Sequence, residues 1–594
     1  MVSYRILKNE YRDSVTLMLA AREVQKLDGV KDAAIVMGTE ANYGILRTAD
    51  LYLPELEDEA GPNDMIIVLS AANAAAGEAA LAAAVKNIQE AQAKTDDDVD
   101  FVPKSIDSAK RFQPSSNMLL VSIAGQYAAF EVKKALDLGL HVHLFSDNVT
   151  IEEEKELKQI AHDKGLLMMG PDCGTAIING VPLAFSNKLA KGNIGIVAAA
   201  GTGLQEVSTI ITKQGGGVSQ AIGTGGRDLK KEIMGTMFID GLRALQADKE
   251  TEVILLVSKP ASEVAQKKLF EQIAKSKKPT VLIVLGSSVE SPFKHLYIAK
   301  SLEEAALAAL YIAQNKDVKE YENFFNKRDE ELSDKANNLR KKLKPNQKYV
   351  RGLFSGGTLC DEAMQVLSAA GFDIYSNTPL DDRFTLKNPF VSENNCIVDM
   401  GSDEFTQGRP HPMIDFSLRC KRIEAEAADK DVAIILLDDV LGYGAHQDPQ
   451  SEYVPAIQKA KKIAAADGRE IIFITSITGT PEDYQDFALQ KRALEKEGVI
   501  VTDSNIEAVL LTAKILNPEY KMKLSITSIS GDKKDNIEPT KTNELFSQKL
   551  AVINLGLKGF AEDLTSQNVP AVQVEWRPPA GGNTKILSLL EKMR

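Results

Sequence analysis

The sequence has 594 residues, which is too long for one hydrophobic core and predicts several domains. Its 70 basic and 83 acidic residues give a formal net charge of −13, which argues against general nucleic-acid binding. The four cysteines are widely spaced and form no CxxC pair or Cys/His cluster, so neither a disulfide framework nor a metal site is predicted.

The first hundred residues predict a small ferredoxin-like α+β unit, residues 1–100. Hydrophobic periodicity gives the order strand, helix, strand, strand, helix, and an acidic loop closes the unit. The predicted elements are Tyr4–Leu7, Ser14–Leu27, Ala33–Met37, Met65–Leu69 and Ala71–Ala93.

Residues 101–190 predict a Rossmann-like domain. Three short apolar runs, Met118–Ile123, His141–Phe145 and Leu166–Gly170, alternate with helical patterns. Strand, helix, strand, helix, strand is the order of one half of a doubly wound parallel sheet.

Residues 191–315 predict a flavodoxin-like module in which two consecutive strands end in glycine-rich loops. Ile194–Ala198 leads into Gly201-Thr202-Gly203, and Val218–Ile222 leads into Gly223–Asp228. Such loops present backbone N–H groups at the carboxyl edge of a parallel sheet, where anions and ligands bind. The pattern predicts a phosphate site, although a tight turn that needs glycine is the alternative.

The same order of elements restarts at residue 347. Tyr349–Phe354 leads into Ser355-Gly356-Gly357, and later strands lead into loops at 438–444 and 476–480. Residues 347–517 therefore predict a second flavodoxin-like module, a diverged copy of the first.

Three segments lie outside these predicted domains. Residues 316–346 are dense in charge and predict a solvated helical linker, and residues 518–549 predict a polar linker. Residues 550–594 are too few to fold alone with much stability, so we expect them to dock on the rest of the chain or on a partner.

Four motifs resemble the α subunit of succinyl-CoA synthetase, a CoA-binding Rossmann domain followed by a ligase domain. They are GPDCGT (170–175), GNIGIVAAAGT (192–202), IGTGGRD (222–228) and AKSLEEAA (299–306). LLDDVLGYGAHQD (436–448) resembles the glycine-rich loop of the β-subunit ligase domain. With the ferredoxin-like start and WRPPAGGN (576–583), the whole chain is identified as a member of the FdrA family.

This resemblance implies a multidomain α/β protein that is the large subunit of a heteromeric oxamate carbamoyltransferase in anaerobic allantoin and purine breakdown. The implied reaction is carbamoyl transfer between carbamoyl phosphate and oxamate, or phosphorolysis of oxalurate. Expected partners are companion subunits and the small anions carbamoyl phosphate, oxamate, oxalurate and phosphate. No nucleic acid or membrane is expected as a partner, and the expected location is the cytoplasm because no signal peptide or long apolar run occurs.

Two alternatives stay open. The first is an acyl-CoA synthetase-like ligase component, and CoA is an expected cofactor only under that interpretation. The second is a non-catalytic scaffold of a metabolic complex. The resemblance implies that a CoA-type pocket would contain Gly125, Gln126, Asp172, Cys173 and Gly174.

The sequence departs from the synthetases where their phosphate relay lies. The glycine-flanked loop that carries their histidine is missing, and His295 lacks such glycines, which favours a structural role. Lys259 stands where that family has a glutamate, and a cation there could hold an anion. No ATP-grasp domain precedes the second module, which argues against NDP-forming ligase chemistry.

Three side chains are candidate catalytic groups: Arg227, Lys259 and His446. The first two follow neighbouring strands and could bind an anion, although both are also typical of solvated loops. His446 could act as an acid/base or an oxyanion donor, although a hydrogen-bonded loop histidine is equally typical. The predicted substrate- and phosphate-binding residues are Gly201, Thr202, Gly203, Gly223, Thr224, Gly225, Gly226, Asp228, Ser355, Gly356, Gly357, Gly442, Gly444, Thr478, Gly479, Thr480, Arg577 and Asn583.

Overall fold

The computed structural model describes residues 1–10, 12, 14–93, 102–287, 290–406, 409–524, 526–535 and 537–578. Within this part of the chain the strands form four sheets of three, seven, six and five strands. Helices pack on both faces of the parallel sheets, as the sequence predicts for an α/β protein.

The N-terminal unit is built on a three-stranded antiparallel sheet. Its elements are β1 (Val2–Leu7), α1 (Ser14–Gln25), β2 (Val30–Met37), α2 (Glu40–Thr48), α3 (Glu55–Glu59), β3 (Met65–Ala71) and α4 (Ala74–Ala93). β3 lies between β1 and β2, and it is buried along nearly its whole length. Leu17 and Leu81 pack on one face and Leu46 on the other. The structure adds the short helices α2 and α3 to the predicted order.

The Rossmann-like domain follows from residue 102. Its first elements are α5 (Ile106–Phe112), β4 (Met118–Val121), α6 (Gly125–Asp137), β5 (His141–Leu144), α7 (Ile151–Lys164) and β6 (Met168–Met169). The ends of α7 are encoded locally, since Thr150 and Glu153 form a capping box and Gly165 ends the helix with φ 66°.

The first flavodoxin-like module contains the seven-stranded sheet. Its elements are β7 (Thr175–Ile178), β8 (Val181–Ala184), β9 (Lys191–Ala199), α8 (Gly201–Lys213), β10 (Val218–Gly223), α9 (Thr236–Ala247), β11 (Val253–Ser258), α10 (Glu263–Ile273), β12 (Thr280–Val284), β13 (Leu296–Ile298) and α11 (Leu302–Ala313). The order is β13-β12-β11-β9-β10-β7-β8. The β7–β8 hairpin pairs antiparallel with β10, so it extends this sheet although the predicted boundary assigned it to residues 101–190.

Residues 316–346, predicted as a solvated helical linker, are mostly helical, but the helix is packed on the folded body and is not surrounded by solvent. The segment contains α12 (Glu320–Arg340), whose charged residues lie mostly on its outer face, apart from buried Arg328, which pairs with Glu303. Tyr321, Phe325 and Leu332 recur at helical spacing and are buried in the same core as the two modules. The helix therefore belongs to the folded body.

The second module repeats the first. Its elements are β14 (Tyr349–Phe354), α13 (Gly357–Ala369), β15 (Ile374–Tyr375), β16 (Asn395–Asp399), α14 (Asp403–Thr406), α15 (Ser417–Ala428), β17 (Val432–Val440), α16 (Pro449–Ala466), β18 (Ile472–Thr478), α17 (Phe487–Lys496), β19 (Ile500–Thr502) and α18 (Asn505–Leu516). Its sheet runs β15-β16-β14-β17-β18-β19, all parallel. The order β16-β14-β17-β18-β19 matches β10-β9-β11-β12-β13 strand for strand, which is the flavodoxin order 2-1-3-4-5.

The C-terminal segment completes the Rossmann-like sheet. Its elements are α19 (Thr542–Ser547), β20 (Val552–Leu555), α20 (Lys558–Ser566) and β21 (Ala571–Val574). The sheet runs β21-β20-β4-β5-β6, with every pair parallel. In the 2-1-3-4-5 order of a doubly wound sheet, β20 is therefore strand 1 and β21 is strand 2, and strands 3 to 5 come from residues 118–169. Trp576 then packs on Tyr127, with 5.5 Å between ring centroids.

The polar segment before these strands runs along the first module. Ser530 N donates to Lys294 O at 2.9 Å, and Asp532 N donates to Lys277 O at 2.9 Å. Lys533 Nζ donates to Ala313 O at 2.8 Å. Backbone contacts of this kind fasten the connection between the last helix of the second module and the Rossmann-like sheet.

The two modules are joined by a reciprocal pair of helix caps. Glu206, the sixth residue of α8, accepts from the N–H of Asn505 at 2.8 Å, at the start of α18. Glu362, the sixth residue of α13, accepts from the N–H of Leu302 at 2.8 Å, at the start of α11. Each module therefore caps the last helix of the other, and the repeat forms a pseudo-symmetric dimer within one chain.

Replacing Glu362 by glutamine is expected to flatten the dependence of stability on pH. Burial raises the pKa of Glu362 to about 7 from 4.5, so the folded state resists its ionisation. The contribution of this group is present below about pH 4.5 and is lost as pH rises towards 7, by up to about 3 kcal/mol. Urea unfolding at pH 5 and pH 8 measures it, and parallel pH profiles for both proteins would contradict it.

Candidate functional site

Two helix N-termini face each other where the modules meet. α8 and α13 each follow the central strand of their sheet, and their N-cap residues, Ala200 and Gly356, make no side-chain cap hydrogen bond. Thr358 N donates to Thr202 Oγ1 at 3.3 Å across the junction. A Cβ added to Gly203 or Gly356 would lie 2.8 Å from the facing threonine side chain, so this approach requires glycine. The positive ends of two helix dipoles converge here.

Lys259 enters this junction from the end of β11. Its Nζ lies 2.8 Å from Asp361 Oδ2 and would lie 3.5 Å from a Cβ added to Gly357, the first residue of α13. Burial alone would lower the pKa of Lys259, but the carboxylates of Asp361 and Asp399 raise it, so the ammonium stays charged. Its side chain is 37% exposed, which leaves the cation accessible.

Aspartates surround Lys259. Burial raises the pKa of Asp399, at the end of β16, to about 7, while Lys259 opposes the shift. Burial and the neighbouring Asp147 raise the pKa of Asp172 to about 6, and burial with Asp147 also raises the pKa of Asp403. The junction therefore combines the partial positive charge of two helix N-termini and the lysine ammonium with carboxyls whose pKa values are raised by burial.

Of these acids, only Asp172 is among the residues predicted from the sequence. The repeat contains a signal that could have found the others. Asp399 ends β16 and Asp403 lies just beyond it, as the loop Gly223–Asp228 begins at the end of the equivalent strand β10. Because equivalent strands end at the same edge, aligning the two modules would have placed both aspartates at the junction.

The predicted anion cradle at Gly223–Asp228 is filled by protein. A Cβ on Gly223 would lie 2.2 Å from Thr175 O, and one on Gly225 would lie 2.2 Å from Pro171 O. Lys158 Nζ donates to Thr224 O at 2.9 Å and to the buried Asp228 carboxylate at 2.7 Å. Close packing against neighbouring backbone thus explains why Gly223 and Gly225 are glycines, and the buried ion pair holds the loop in place. Of the three glycines in this loop, only Gly226 faces open space.

Arg227 is held by the Rossmann-like domain. Its Nε lies 2.9 Å from Glu154 Oε2, at an angle that makes an ion pair without a hydrogen bond, and its Nη2 donates to Val149 O at 2.8 Å. The guanidinium is therefore already engaged by protein groups, and its role as a bidentate anion ligand stays a prediction.

Replacing Arg227 by glutamine is expected to lower the free energy of unfolding by about 1–3 kcal/mol, because buried Glu154 loses a neighbouring charge. Phosphate affinity should change less than threefold. Urea unfolding and calorimetric titration with phosphate test the two statements separately, and a tenfold weaker phosphate affinity with unchanged stability would restore Arg227 to the binding site.

His446 lies away from the junction, beside the N-terminal unit. Its Nδ1 accepts from Asp448 N at 3.1 Å, and its Nε2 lies 3.9 Å from Glu452. Arg22 of α1 pairs with Glu452 and lies 3.8 Å from Asp415. Burial lowers the pKa of His446 although Glu452 opposes the shift. The structure does not group this histidine with Lys259.

The remaining predicted loops of the second module are used for packing. Ser355 N and Gly356 N both donate to the Asp438 carboxylate at 2.8 Å. Thr478 Oγ1 donates to Glu206 at 2.6 Å, and Thr480 Oγ1 donates to Lys188 O at 2.8 Å. Gly442, Gly444 and Gly479 would place a Cβ 2.6, 2.7 and 2.9 Å from Ser186, Phe185 and Leu441 respectively.

Arg577 and Asn583 of the C-terminal segment and His295 of the first module are also singled out by the sequence. Arg577 is 60% exposed and lies 3.7 Å from Glu575, and Asn583 lies outside the described residues. His295 directly precedes β13, and its carbonyl oxygen accepts from Thr280 N at the amino end of β12. It is therefore at the sheet edge opposite the glycine loops, in keeping with the structural role expected for it.

The CoA-type pocket lies at the switch point of the Rossmann-like sheet. α6 and α20 begin there, and no described side chain caps either helix. Gln126 is exposed, and Ser146 Oγ is buried without a hydrogen-bond partner. Backbone amides and this hydroxyl fit an anionic group of the kind that CoA carries. Gly125, however, is pressed against the chain, since its Cβ would lie 2.0 Å from Asp147 O.

Cys173 is not a nucleophile. Its thiol is buried, donates to Thr175 O at 3.5 Å, and would lie 2.7 Å from a Cβ on Gly223. Burial raises the pKa of the Cys173 thiol to about 12, so the thiolate is absent at neutral pH. With Gly174 it shapes the loop that carries Asp172.

Across the described ranges, no group of three or more His, Cys, Asp or Glu side chains has the geometry to hold a metal ion. In that same part of the chain, no helix has the length and apolar character needed to cross a bilayer.

Two family models match the chain. One, described as CoA-ligase, matches residues 353–515, and the other, described as AllF, heavy metal-associated domain, matches residues 1–102. Residues 1–102 contain neither cysteine nor histidine, so this match conveys a fold without thiolate or imidazole metal ligands.

Similar proteins include the uncharacterized protein YahF of Escherichia coli K12, which is 42% identical over 513 residues, 86% of this chain and 98% of YahF. Subunit alpha 1 of the ADP-forming succinate–CoA ligase of Archaeoglobus fulgidus is 26% identical over 178 residues, 29% of this chain and 60% of that subunit. The crystal structure of PH0766 from Pyrococcus horikoshii is 15% identical and covers 68% of this chain and 85% of that one, with a TM-score of 0.29.

Proposed function

Because the chain belongs to the FdrA family, we propose that it is the large subunit of a heteromeric oxamate carbamoyltransferase. In the catabolic direction it would convert oxalurate and phosphate into oxamate and carbamoyl phosphate. The AllF-type N-terminal domain supports a place in allantoin breakdown, and the ligase-type modules support chemistry on small anions.

One observation carries the proposal: the partly exposed Lys259 brings its ammonium to the start of α13, where α8 also begins, at the position that the resemblance assigns to the phosphate relay of the synthetases. The sequence lacks the glycine-flanked loop that carries the relay histidine of those synthetases. His411, the histidine beside the junction, is half-buried and its Nδ1 accepts from Met413 N at 3.2 Å. A fixed cation and backbone amides bind a phosphate without becoming phosphorylated, which suits direct transfer of a carbamoyl group.

Carbamoyl transfer requires little covalent chemistry from the protein. The site must neutralise a phosphate and a carboxylate, supply donors to the tetrahedral oxyanion, and exclude water. Lys259 would neutralise the phosphate, and the first N–H groups of α8 and α13 would donate to the oxyanion. Companion subunits would then close the open side of the junction against water.

The test is turnover by the reconstituted complex. With companion subunits, oxalurate and phosphate, we expect oxamate and carbamoyl phosphate to form in equal amounts, quantified by liquid chromatography. No turnover with all companions present would refute the proposal. If phosphate and carbamoyl phosphate also fail to bind by calorimetry, the chain is a scaffold.

A CoA-ligase component is the second candidate. The observation that favours it is the pair of uncapped helix N-termini at the switch point, together with the unpaired Ser146 hydroxyl. Calorimetric titration with CoA separates the candidates: binding of CoA would favour the ligase interpretation, whereas binding of carbamoyl phosphate without CoA would exclude it.

A further inference from the structure

The carboxyl group of Asp399 is held rigidly at the end of β16. Asp399 N donates to Asn377 Oδ1 at 3.0 Å, and Asn377 Nδ2 donates to Asp399 O at 3.0 Å. The side-chain Oδ1 accepts from Gly401 N at 2.9 Å. Three hydrogen bonds therefore fix both the main chain and one oxygen of this residue.

The second carboxyl oxygen is directed at the junction. A Cβ added to Gly357 would lie 2.6 Å from Asp399 Oδ2 and 3.5 Å from Lys259 Nζ, so the two groups flank one point at the start of α13. Oδ2 accepts no hydrogen bond from any residue that the structure describes. Thus one oxygen is anchored, and the other is available to a ligand beside the lysine.

We propose that Asp399 is the proton donor and acceptor of the carbamoyl transfer at this junction. The inference rests on the proposed function. In phosphorolysis a phosphate oxygen would attack the carbamoyl carbon of oxalurate, the C–N bond would break, and Oδ2 would give its proton to the departing oxamate nitrogen. The proton that hydrogen phosphate loses would return to Asp399, so atoms and charge balance.

Asp399 suits this role better than the other acids nearby. Asp361 is committed to its ion pair with Lys259 at 2.8 Å, and Asp403 is exposed. Asp172 belongs to the Rossmann-like domain, where burial and Asp147 raise its pKa while Lys259 and Arg227 oppose the shift. The pKa of about 7 lets Asp399 both donate and accept near neutral pH.

Several charged groups set that protonation. Lys259 and Asp361 face Asp399 from the first module and from α13, and Asp438 faces it from β17. The thiol of Cys360 and the ring of His411 are also adjacent, but both are neutral at pH 7, because burial raises the pKa of the thiol and lowers that of the imidazole. Among the described carboxyls of this set, Asp399 has one oxygen held by a backbone N–H. Both oxygens of Asp438 accept hydrogen bonds, and Asp361 pairs with Lys259.

The test compares Asp399→Asn with the unaltered chain in the reconstituted complex. Asparagine keeps the oxygen that accepts from Gly401 N but cannot exchange a proton. We expect kcat/KM to fall about 10²–10⁴-fold, the range for a general acid or base. The limb of the pH–rate profile near 7 should disappear, and the Kd of carbamoyl phosphate should stay within about threefold.

Asp381→Asn is the matched control, because this exposed aspartate pairs with Arg383 on a surface loop and should leave the profile unchanged. If the unaltered complex turns over and Asp399→Asn does so with the same pH profile, the inference fails while the proposed function stands. If the unaltered complex shows no turnover, the proposed function fails first. Equal thermal midpoints for the variant and the unaltered chain exclude misfolding as the cause of a loss.

Discussion

Replacing Lys259 by methionine is expected to lower kcat/KM for phosphorolysis of oxalurate by about 10²–10³-fold, the range for removing one preorganised electrostatic donor. Methionine preserves the length of the side chain but removes its charge. Two helix dipoles would still point into the junction, yet Asp361 and Asp399 would then oppose an incoming phosphate. Steady-state kinetics of the reconstituted complex give kcat/KM, and calorimetry gives the phosphate Kd, which should rise at least tenfold.

Lys230→Met is the matched control for this experiment, since Lys230 is an exposed lysine of the same module. Lys259→Arg should retain part of the phosphate affinity, because the charge stays while its shape changes. Full activity of Lys259→Met would remove this residue from the site. If Lys230→Met loses as much kcat/KM as Lys259→Met, the effect comes from the overall charge of the protein and not from the position of Lys259.

The duplicated module could be predicted from the sequence. Each central strand is a short apolar run that ends in glycines, and such local signals survive because a buried parallel strand and a close helix start both constrain residue type. Gly203 and Gly356 illustrate the point, since each faces a threonine of the other module too closely for a side chain.

The C-terminal strands could not be placed in the same way. Val552–Leu555 and Ala571–Val574 have the pattern of ordinary strands and pair with each other, but the other partner of β20 is β4, more than four hundred residues earlier in the chain. Local periodicity does not indicate which distant segments pair. The pairing is determined by the packing of β20 on β4 and of Trp576 on Tyr127 in the folded protein.

The loop Gly223–Asp228 failed as a predicted site for a related reason. Glycine meets two different needs, namely room for a ligand and room for another backbone, and the sequence does not distinguish them. Here the neighbour is the backbone of Thr175 and Pro171. By contrast, the acids around Lys259 come from separate domains, so their meeting depends on tertiary structure.

The buried lysine that clasps this loop gives the largest stability effect that we predict. Lys158 is 1% exposed and lies 2.8 Å from Glu154 and 2.7 Å from Asp228, both of them fully buried. Replacing it by methionine leaves Asp228 in the interior without its ammonium partner and leaves Glu154 with the ion pair to Arg227 alone among the described cations. Breaking a buried pair in this way costs about 3–5 kcal/mol. The loss should act on the contact between the Rossmann-like domain and the first module, which this triad spans.

Urea unfolding followed by Trp576 fluorescence measures that loss, because this is the single tryptophan of the chain and it packs on α6 of the Rossmann-like domain. Lys155→Met, at an exposed position of the same helix, should leave the midpoint unchanged. The double variant Lys158→Met/Asp228→Asn should recover part of the stability, since it removes the charge of Asp228, which has lost its ammonium partner. Equal unfolding midpoints for Lys158→Met and Lys155→Met would mean that water reaches the ion pairs of Lys158. These ion pairs would then not stabilise the contact between the Rossmann-like domain and the first module.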